Sequence, residues 1–279
     1  MTRTRIRRTL LSVLAIVIAA LWAFPVYWMV SSSLIPTAVL NSFIPTFFPT
    51  RPTGSNYAGA LADGSFFRAL GMSLAITLTV VVVCLLFAFL AALAISRFRF
   101  RGRTGFVIAV LIVQMLPAEG LFIAQYKMVS SVGLLDSVIG PTIIYVAAVV
   151  PFTIWMLRGF VAGIPADLEE AAMVDGLSRF GAFMRITFPL LAPGLVASGV
   201  YAFLQAWNEF TVALVLLPSE AAQTLPLWLR GFVQASATRE TDWGQVMAAS
   251  TLVAVPVIIF FLIVQGRLTS GLVAGAVKG

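Results

Sequence analysis

The chain has 279 residues, of which 60% are hydrophobic and only 10% are charged. Because soluble domains carry about 25% charged residues, this composition excludes a soluble globular domain. The net charge of +7 at pH 7 does not indicate nucleic-acid binding, since the basic residues cluster in a few loops between apolar runs. Several of these runs reach the roughly 20 residues that span a bilayer as a helix, so the sequence predicts an all-α, polytopic membrane protein.

Histidine is absent from the chain, and the single cysteine, Cys84, lies inside an apolar run. A disulfide within the chain is therefore excluded, and a zinc site is strongly disfavoured. The lack of histidine also excludes Ser-His-Asp and Cys-His catalytic arrangements. We expect neither catalytic residues nor a metal site, and we interpret Cys84 as a small residue packed among helices or lipid.

The N-terminal segment combines a basic start with a long apolar run. Four arginines lie within residues 1–8, and the apolar run 10–34 follows them. Signal peptides share this pattern, but the run is longer than a typical one and no convincing small-residue cleavage site follows. The segment therefore predicts the first spanning helix.

Six apolar runs in total predict six transmembrane helices within one domain of residues 1–279. The loop at residues 35–67, rich in Pro, Gly, Ser and Asn, is expected to hold at most short helices. The predicted spans are residues 10–34, 69–95, 104–126, 138–157, 190–217 and 243–265.

The distribution of the 18 Lys and Arg residues predicts the orientation of these spans. With six spans and both ends on one side, that side holds 13 of them: Arg3, Arg5, Arg7, Arg8, Arg97, Arg99, Arg101, Arg103, Arg158, Arg179, Arg185, Arg267 and Lys278. The other side holds 5: Arg51, Arg68, Lys127, Arg230 and Arg239. The positive-inside rule therefore predicts that both termini lie in the cytoplasm, as in a multi-pass protein of the plasma membrane.

The loop at residues 159–189, between the fourth and fifth spans, is rich in both charge and helix formers. Pro165 suits a first helical position, and acidic residues follow it near the positive end of the helix dipole. Gly176 predicts the end of this helix. Ser178 is expected to cap a second short helix, which Pro189 is expected to end.

This loop resembles the EAA loop of the membrane subunits of bacterial ABC importers. The matching residues are Glu170-Ala171-Ala172, Gly176 and then Ile186 and Pro189 at the family's spacing, although Phe188 stands where Leu is often found. The resemblance implies that the first helix is a cytoplasmic coupling helix that docks on an ATPase subunit. The ATPase-coupling residues implied are Glu169, Glu170, Ala171, Ala172, Asp175 and Gly176. The alternative is an amphipathic helix resting on the membrane surface.

Three further stretches are similar to the shorter of the two permease subunits of maltose-type carbohydrate importers. They are Trp207-Asn208-Glu209-Phe210, Asp242-Trp243-Gly244-Gln245 with the following Met247-Ala248-Ala249, and the small-residue tail Ser270 to Gly279. The tail departs from the family at Val273, where Thr is usual. The resemblance covers essentially all six spans, and it implies the type I permease fold of ABC importers.

The resemblance also implies the assembly in which the chain works. The partners would be a second, different permease subunit, two ATPase subunits, an extracytoplasmic solute-binding protein, membrane lipid and a sugar, with no nucleic acid. ATP and Mg²⁺ would be used by the ATPase subunits. The chain itself lacks a Gly-x-x-x-x-Gly-Lys-Ser/Thr loop, so we expect it to bind no cofactor and not to be an enzyme.

Polar residues within predicted spans are costly in lipid, so a function in the transport path is the first hypothesis for them. The candidates are Gln114, Glu119, Tyr145, Gln205, Trp207, Asn208 and Glu209. Gln205 and Glu209, four residues apart, would share one helix face, and the rings of Tyr145 and Trp207 would suit stacking on a sugar. The alternative is that these groups hydrogen-bond between helices and hold the bundle together.

Other functional classes stay open at this point. A secondary transporter driven by an ion gradient is the main alternative, although the sequence shows no convincing internal repeat. A membrane-embedded enzyme and a non-transporting scaffold are two more. The substrate is also open among maltodextrin, trehalose, cello- or chito-oligosaccharides and glycerol-3-phosphate.

Overall fold

The computed structural model describes residues 2–42, 44, 46–62, 64–116, 118–235 and 241–276. These residues form helices and connecting loops, with no strand among them. The first helices are α1 (Thr2–Ser33), α2 (Thr37–Leu40), α3 (Ser55–Leu61), α4 (Ser65–Arg97), α5 (Arg103–Gln114), α6 (Phe122–Ser131) and α7 (Ile139–Ala162). The others are α8 (Asp167–Val174), α9 (Arg179–Ala182), α10 (Phe188–Trp207), α11 (Thr211–Leu216), α12 (Leu225–Ala235) and α13 (Trp243–Ala276).

Five helices among the described residues are long and apolar enough to cross a bilayer: Arg7–Ser33, Ser65–Arg97, Ile139–Ala162, Arg179–Trp207 and Trp243–Gly266. They coincide with five of the six predicted spans. The all-α membrane architecture predicted from composition is therefore confirmed, and α2 and α3 are the short helices expected in the first loop.

The third predicted span, residues 104–126, is not one helix. The 12-residue helix α5 ends at Gln114, and the chain resumes as a short 3₁₀ helix, Ala118–Leu121, followed by α6. Pro117 accounts for the interruption, because proline lacks an N–H and disfavours helical geometry in the residue before it.

The chain divides into two compact units, residues 1–66 with 228–257 and residues 67–227 with 258–279. In the first unit, the start of α13 packs tightly against the loop after α1. Asp242 accepts hydrogen bonds from the amide of Gln245 and the hydroxyl of Thr37. Asn56, only 4% exposed, donates to the carbonyls of Ser33 and Ile35 at 2.9 and 2.8 Å.

Gly244 is the point of closest approach in this unit. A Cβ there would lie 2.6 Å from Oγ1 of Thr37 and 2.7 Å from the Asn56 amide. We expect Gly244→Ala to lower the stability of the folded chain by about 1–3 kcal/mol, as overpacking does. Thermal unfolding in detergent measures this, with Gly71→Ala as the matched control. Gly71 is also helical, but a Cβ there meets nothing within 4 Å, so unchanged or higher stability is expected. Equal stability of the two variants would show that the backbone at Gly244 does not lie close to Thr37 and Asn56.

In the second unit the core lies along α4, α7 and α10. Buried residues at its centre include Ala88, Ala92, Leu157 and Leu191. Gly194 of α10 lets Phe160 of α7 approach, since a Cβ there would lie 2.5 Å from the ring. Small residues thus bring these helices close together, and their ends carry the loop that holds α8.

Candidate functional site

Helix α8 fits the local signals in its sequence. Its first turn is acidic, with Asp167, Glu169 and Glu170 near the positive end of the helix dipole. It ends in a Schellman motif, in which the amide of Gly176 bonds Met173 and the amide of Leu177 bonds Ala172, both at 3.1 Å. The predicted end of the helix at Gly176 is confirmed. Gly176 has a φ of +93°, so this position requires a residue that tolerates left-handed backbone geometry.

Helix α8 has an inner and an outer face. Ala172 is buried on the inner face, and Glu169 and Met173 are partly covered there. We define the outer face of α8 as the exposed residues of the helix and its C-cap: Asp167, Leu168, Glu170, Ala171, Val174 and Asp175. Val174 is 88% exposed, and Phe180 just beyond the helix is 73% exposed. The outer face therefore combines carboxylates with uncovered apolar side chains.

The inner-face carboxylate is bound within the chain through one of its oxygens. Oε1 of Glu169 lies 3.2 Å from Nη2 of Arg97, at the end of α4, and accepts a hydrogen bond of 2.6 Å from Thr187. Glu169 and Glu170 are thus neighbours in sequence with different environments, one bound inside and the other exposed.

The helix after Gly176 begins as predicted and ends elsewhere. The Ser178 hydroxyl accepts from the amide of Gly181 at 3.1 Å, which is an N-cap. The expectation that Pro189 ends this helix is wrong, because the chain runs through a π-helical turn, Phe183–Thr187, directly into α10. Pro189 stands in the first turn of α10, where the wider preceding turn accommodates its ring and its missing N–H.

The predicted fifth span is interrupted at Asn208–Phe210. At 1.5 Å per residue the 20 residues of α10 extend about 30 Å, which is roughly the thickness of the hydrocarbon core. Glu209 bridges the break: it accepts from the amides of Val212 and Ala213 at 2.7 and 3.0 Å and from the hydroxyl of Tyr145 at 2.5 Å. The carboxylate therefore caps α11 and ties it to α7.

The two aromatic candidates are covered by protein. Tyr145 and Trp207 are only 3% and 2% exposed. The Trp207 ring stacks on Phe203 with centroids 5.4 Å apart. In this conformation neither ring presents a free face, so their contacts are those of helix packing.

The amide candidates are exposed. Asn208 donates to the carbonyl of Leu204 at 2.8 Å, Gln114 donates to that of Ala148 at 3.1 Å, and Gln205 lies on the exposed side of α10. Ala148 is one turn of α7 from Tyr145, so Gln114 approaches the level of the break in the fifth span. The backbone of Glu119 lies in the 3₁₀ helix, but its side chain is outside the described residues. The side chains of the tail from Ser270 are outside them too.

Sequence reasoning missed Arg97 and Thr187 as contributors to the loop. Arg97 is one of four closely spaced arginines, and nothing in its spacing distinguishes it from Arg99. Thr187 lies in the π-helical turn. A π-helical turn holds one more residue than an α-helical turn, and this extra residue determines which side chain faces Glu169. The sequence predicts a polar loop at residues 218–242, and it does not indicate the helix α12 that the structure has there.

Apolar helices of bilayer-spanning length, with a short acidic helix exposed between two of them, define a multi-pass membrane protein. The chain belongs to the family of binding-protein-dependent transport system inner membrane components, whose model matches residues 85–273. It is thus a transport subunit of the inner membrane and not an enzyme. The matched range contains α8, and the resemblance to the EAA-containing permeases is confirmed.

Relatives match the chain over nearly its whole length. The chain is 41% identical to the diacetylchitobiose uptake system permease protein DasC of Streptomyces coelicolor, covering 100% of both chains. It is 34% identical to the trehalose transport system permease protein SugB of Mycobacterium tuberculosis and to the trehalose/maltose transport system permease protein MalG of Thermococcus litoralis. Each of these two matches covers 98% of both chains.

The fold also matches solved structures. One chain of a bacterial ABC transporter involved in the import of alginate, an acidic polysaccharide, superposes with a TM-score of 0.78 at 26% identity, covering 95% of this chain and 98% of that one. A second, from an alginate ABC transporter in complex with its pentasaccharide-bound periplasmic protein, matches at a TM-score of 0.67 and 17% identity, which shows the fold alone. The predicted permease fold is confirmed, and no match supports an ion-driven secondary transporter.

Proposed function

We propose that this chain is one membrane-spanning subunit of an ATP-driven ABC importer for a sugar or oligosaccharide. An extracytoplasmic binding protein delivers the solute, as the name of the family implies. The observation that carries the proposal is the outer face of α8, an exposed acidic and apolar surface on a short helix between two spans. The uptake of diacetylchitobiose and of trehalose by full-length relatives supports a saccharide as substrate.

The outer face of α8 is the proposed docking surface for an ATPase subunit. Leu168 and Val174 supply apolar area, and Glu170 supplies a carboxylate for a basic group of the partner. Ala171 permits close approach of the two chains. Gly176 turns the chain away from this surface, and Asp175 lies beside that turn.

The assembly contains a second permease subunit, two ATPase subunits that bind ATP and Mg²⁺, and the binding protein. Closure of the ATPase dimer on ATP moves α8, and the spans then rearrange as packed rigid elements. Co-expression with the neighbouring transport genes tests this assembly. The tagged chain is expected to co-purify with an ATPase and a second permease, and purification of the chain alone would contradict the proposal.

The proposed path for the solute uses the exposed amides of Gln114, Gln205 and Asn208. Amide groups both donate and accept hydrogen bonds, which suits neutral, hydroxyl-rich sugars. The break in the fifth span is stabilised by the buried contacts of Tyr145, Trp207 and Glu209. These residues thereby support the path without lining it. Glu119 stays a candidate of the same path.

Both termini and α8 are proposed to face the cytoplasm, as the 13-to-5 distribution of basic residues indicates. Single cysteines at Thr50 and Val174, in a Cys84→Ser chain expressed without its ATPase, test this orientation. Both positions are exposed. We expect a membrane-impermeant thiol reagent to label Thr50→Cys in intact cells and Val174→Cys only after permeabilisation. The reverse pattern would contradict the orientation.

A further inference from the structure

Arg97 joins the end of α4 to the start of the loop that carries α8 and to α8 itself. Its Nη2 donates to the carbonyl of Ile164 at 3.2 Å and lies 3.2 Å from Oε1 of Glu169. The same carboxylate oxygen accepts the hydroxyl of Thr187 at 2.6 Å. We name these three side chains the Arg97–Glu169–Thr187 clamp.

The clamp is shielded from solvent. The side chains of Arg97 and Glu169 are 21% and 19% exposed, and Thr187 is fully buried. In a shielded pair of opposite charges, loss of one partner leaves the other charge poorly solvated and uncompensated, which is costly. The clamp therefore holds one arrangement of α8 against α4 and the π-helical turn.

Glycines lie in the backbone on both sides of α8, so the side-chain contacts of the clamp are important for its position. Gly163 precedes the helix, and Gly176, with its φ of +93°, follows it. The inner face of α8 offers the small side chain of Ala172 and the partly covered Met173, whereas Glu169 reaches both neighbouring elements. The clamp thus links α8 by side-chain contacts to the end of α4 and to the π-helical turn that leads into α10.

We propose that Arg97 and Glu169 are positioning residues that pass the displacement of α8 on to the ends of α4 and α10. This inference rests on the proposed docking of α8 on an ATPase. With the clamp intact, α8, the end of α4 and the π-helical turn move as one body. Without it, α8 follows the ATPase while the glycines absorb the motion, so ATP is hydrolysed with little transport.

The test compares Glu169→Ala, Glu169→Gln and the charge-swapped pair Arg97→Glu/Glu169→Arg in the reconstituted importer. Arg99→Gln is the matched control, because Arg99 is a neighbouring exposed arginine. Three quantities are measured: the amount of co-purified ATPase, the rate of ATP hydrolysis and the sugar transported per ATP. Glu169→Gln keeps an acceptor for Thr187 but removes the ion pair.

We expect both Glu169 variants to retain the ATPase. We expect the sugar transported per ATP to fall by a factor of about five or more, since fivefold is the lower end of the usual range of coupling between sites. The charge-swapped pair should recover part of this loss, which a general packing defect would not show. Unchanged sugar per ATP in both variants, or loss of the ATPase from Glu169→Gln, would overturn the inference. Absence of any ATPase from the unmodified chain would instead overturn the proposed function.

Discussion

Glu170→Lys is expected to remove the ATPase from the purified complex while leaving a folded, membrane-inserted chain. Glu170 is exposed on the outer face of α8, so the substitution meets no buried neighbour. In the proposed interface its carboxylate pairs with a basic group of the partner. Truncation of one member of such a buried charge pair costs about 2–5 kcal/mol, and charge reversal adds repulsion. We therefore expect at least a tenfold loss of affinity for the ATPase, since about 1.4 kcal/mol corresponds to a factor of ten.

The chain supplies a matched control for this substitution. Glu220-Ala221-Ala222 repeats the tripeptide of Glu170-Ala171-Ala172, but it forms a 3₁₀ turn in a different loop. Glu220 is exposed as well, so Glu220→Lys changes the charge equally without touching the outer face of α8. Co-purification of the ATPase and its stimulation by the loaded binding protein are measured for both variants. Normal values for Glu170→Lys, or equal losses in the two, would show that α8 is not the docking element.

Glu209→Ala is expected to destabilise the fold itself. The substitution removes the acceptor of three hydrogen bonds, from the amides of Val212 and Ala213 and from the Tyr145 hydroxyl. A single hydrogen bond to a charged group contributes about 1.5–3 kcal/mol, and Tyr145 is left buried without this partner. We expect Glu209→Ala to lose at least that much stability and to give little folded protein in a thermal-unfolding assay in detergent.

Asn208→Ala is the matched comparison for Glu209→Ala. The adjacent side chain is exposed and bonds only to Leu204 of its own helix among the described residues, so its loss should leave the fold intact. If Asn208 lines the path, transport falls in this variant while stability does not. Tyr145→Phe should show part of the Glu209→Ala defect, because it deletes one of the three donors. A Glu209→Ala chain with normal stability and impaired transport would instead place Glu209 among the path residues.

Local signals in the sequence predicted most of α8 and its surroundings. The acidic first turn, the stop at Gly176 and the cap at Ser178 depend on residues within a few positions of each other, so the sequence determines them directly. The effect of Pro189 was misjudged because the π-helical turn before it depends on packing, including the burial of Thr187. Rules based on local sequence assume an α-helical turn and do not predict the wider π-helical turn.

The contacts that matter most join distant parts of the chain. Arg97 and Glu169 are 72 positions apart, and Tyr145 and Glu209 are 64 apart. Amphipathic spacing places Gln205 and Glu209 on one face, but it does not foresee a break between them that turns Glu209 inward. In the third span Pro117 is a local signal for an interruption, but it lies within an apolar run that is long enough to predict a single span.

The most direct test of the account is solute uptake by the reconstituted complex of the two permeases and the ATPase. A labelled di- or oligosaccharide, such as diacetylchitobiose or trehalose, is presented with the binding protein outside the vesicles and ATP inside. We predict uptake that requires both ATP and the binding protein and that Glu170→Lys abolishes. Uptake driven by an ion gradient without ATP, or unaffected by omission of the binding protein, would contradict the account.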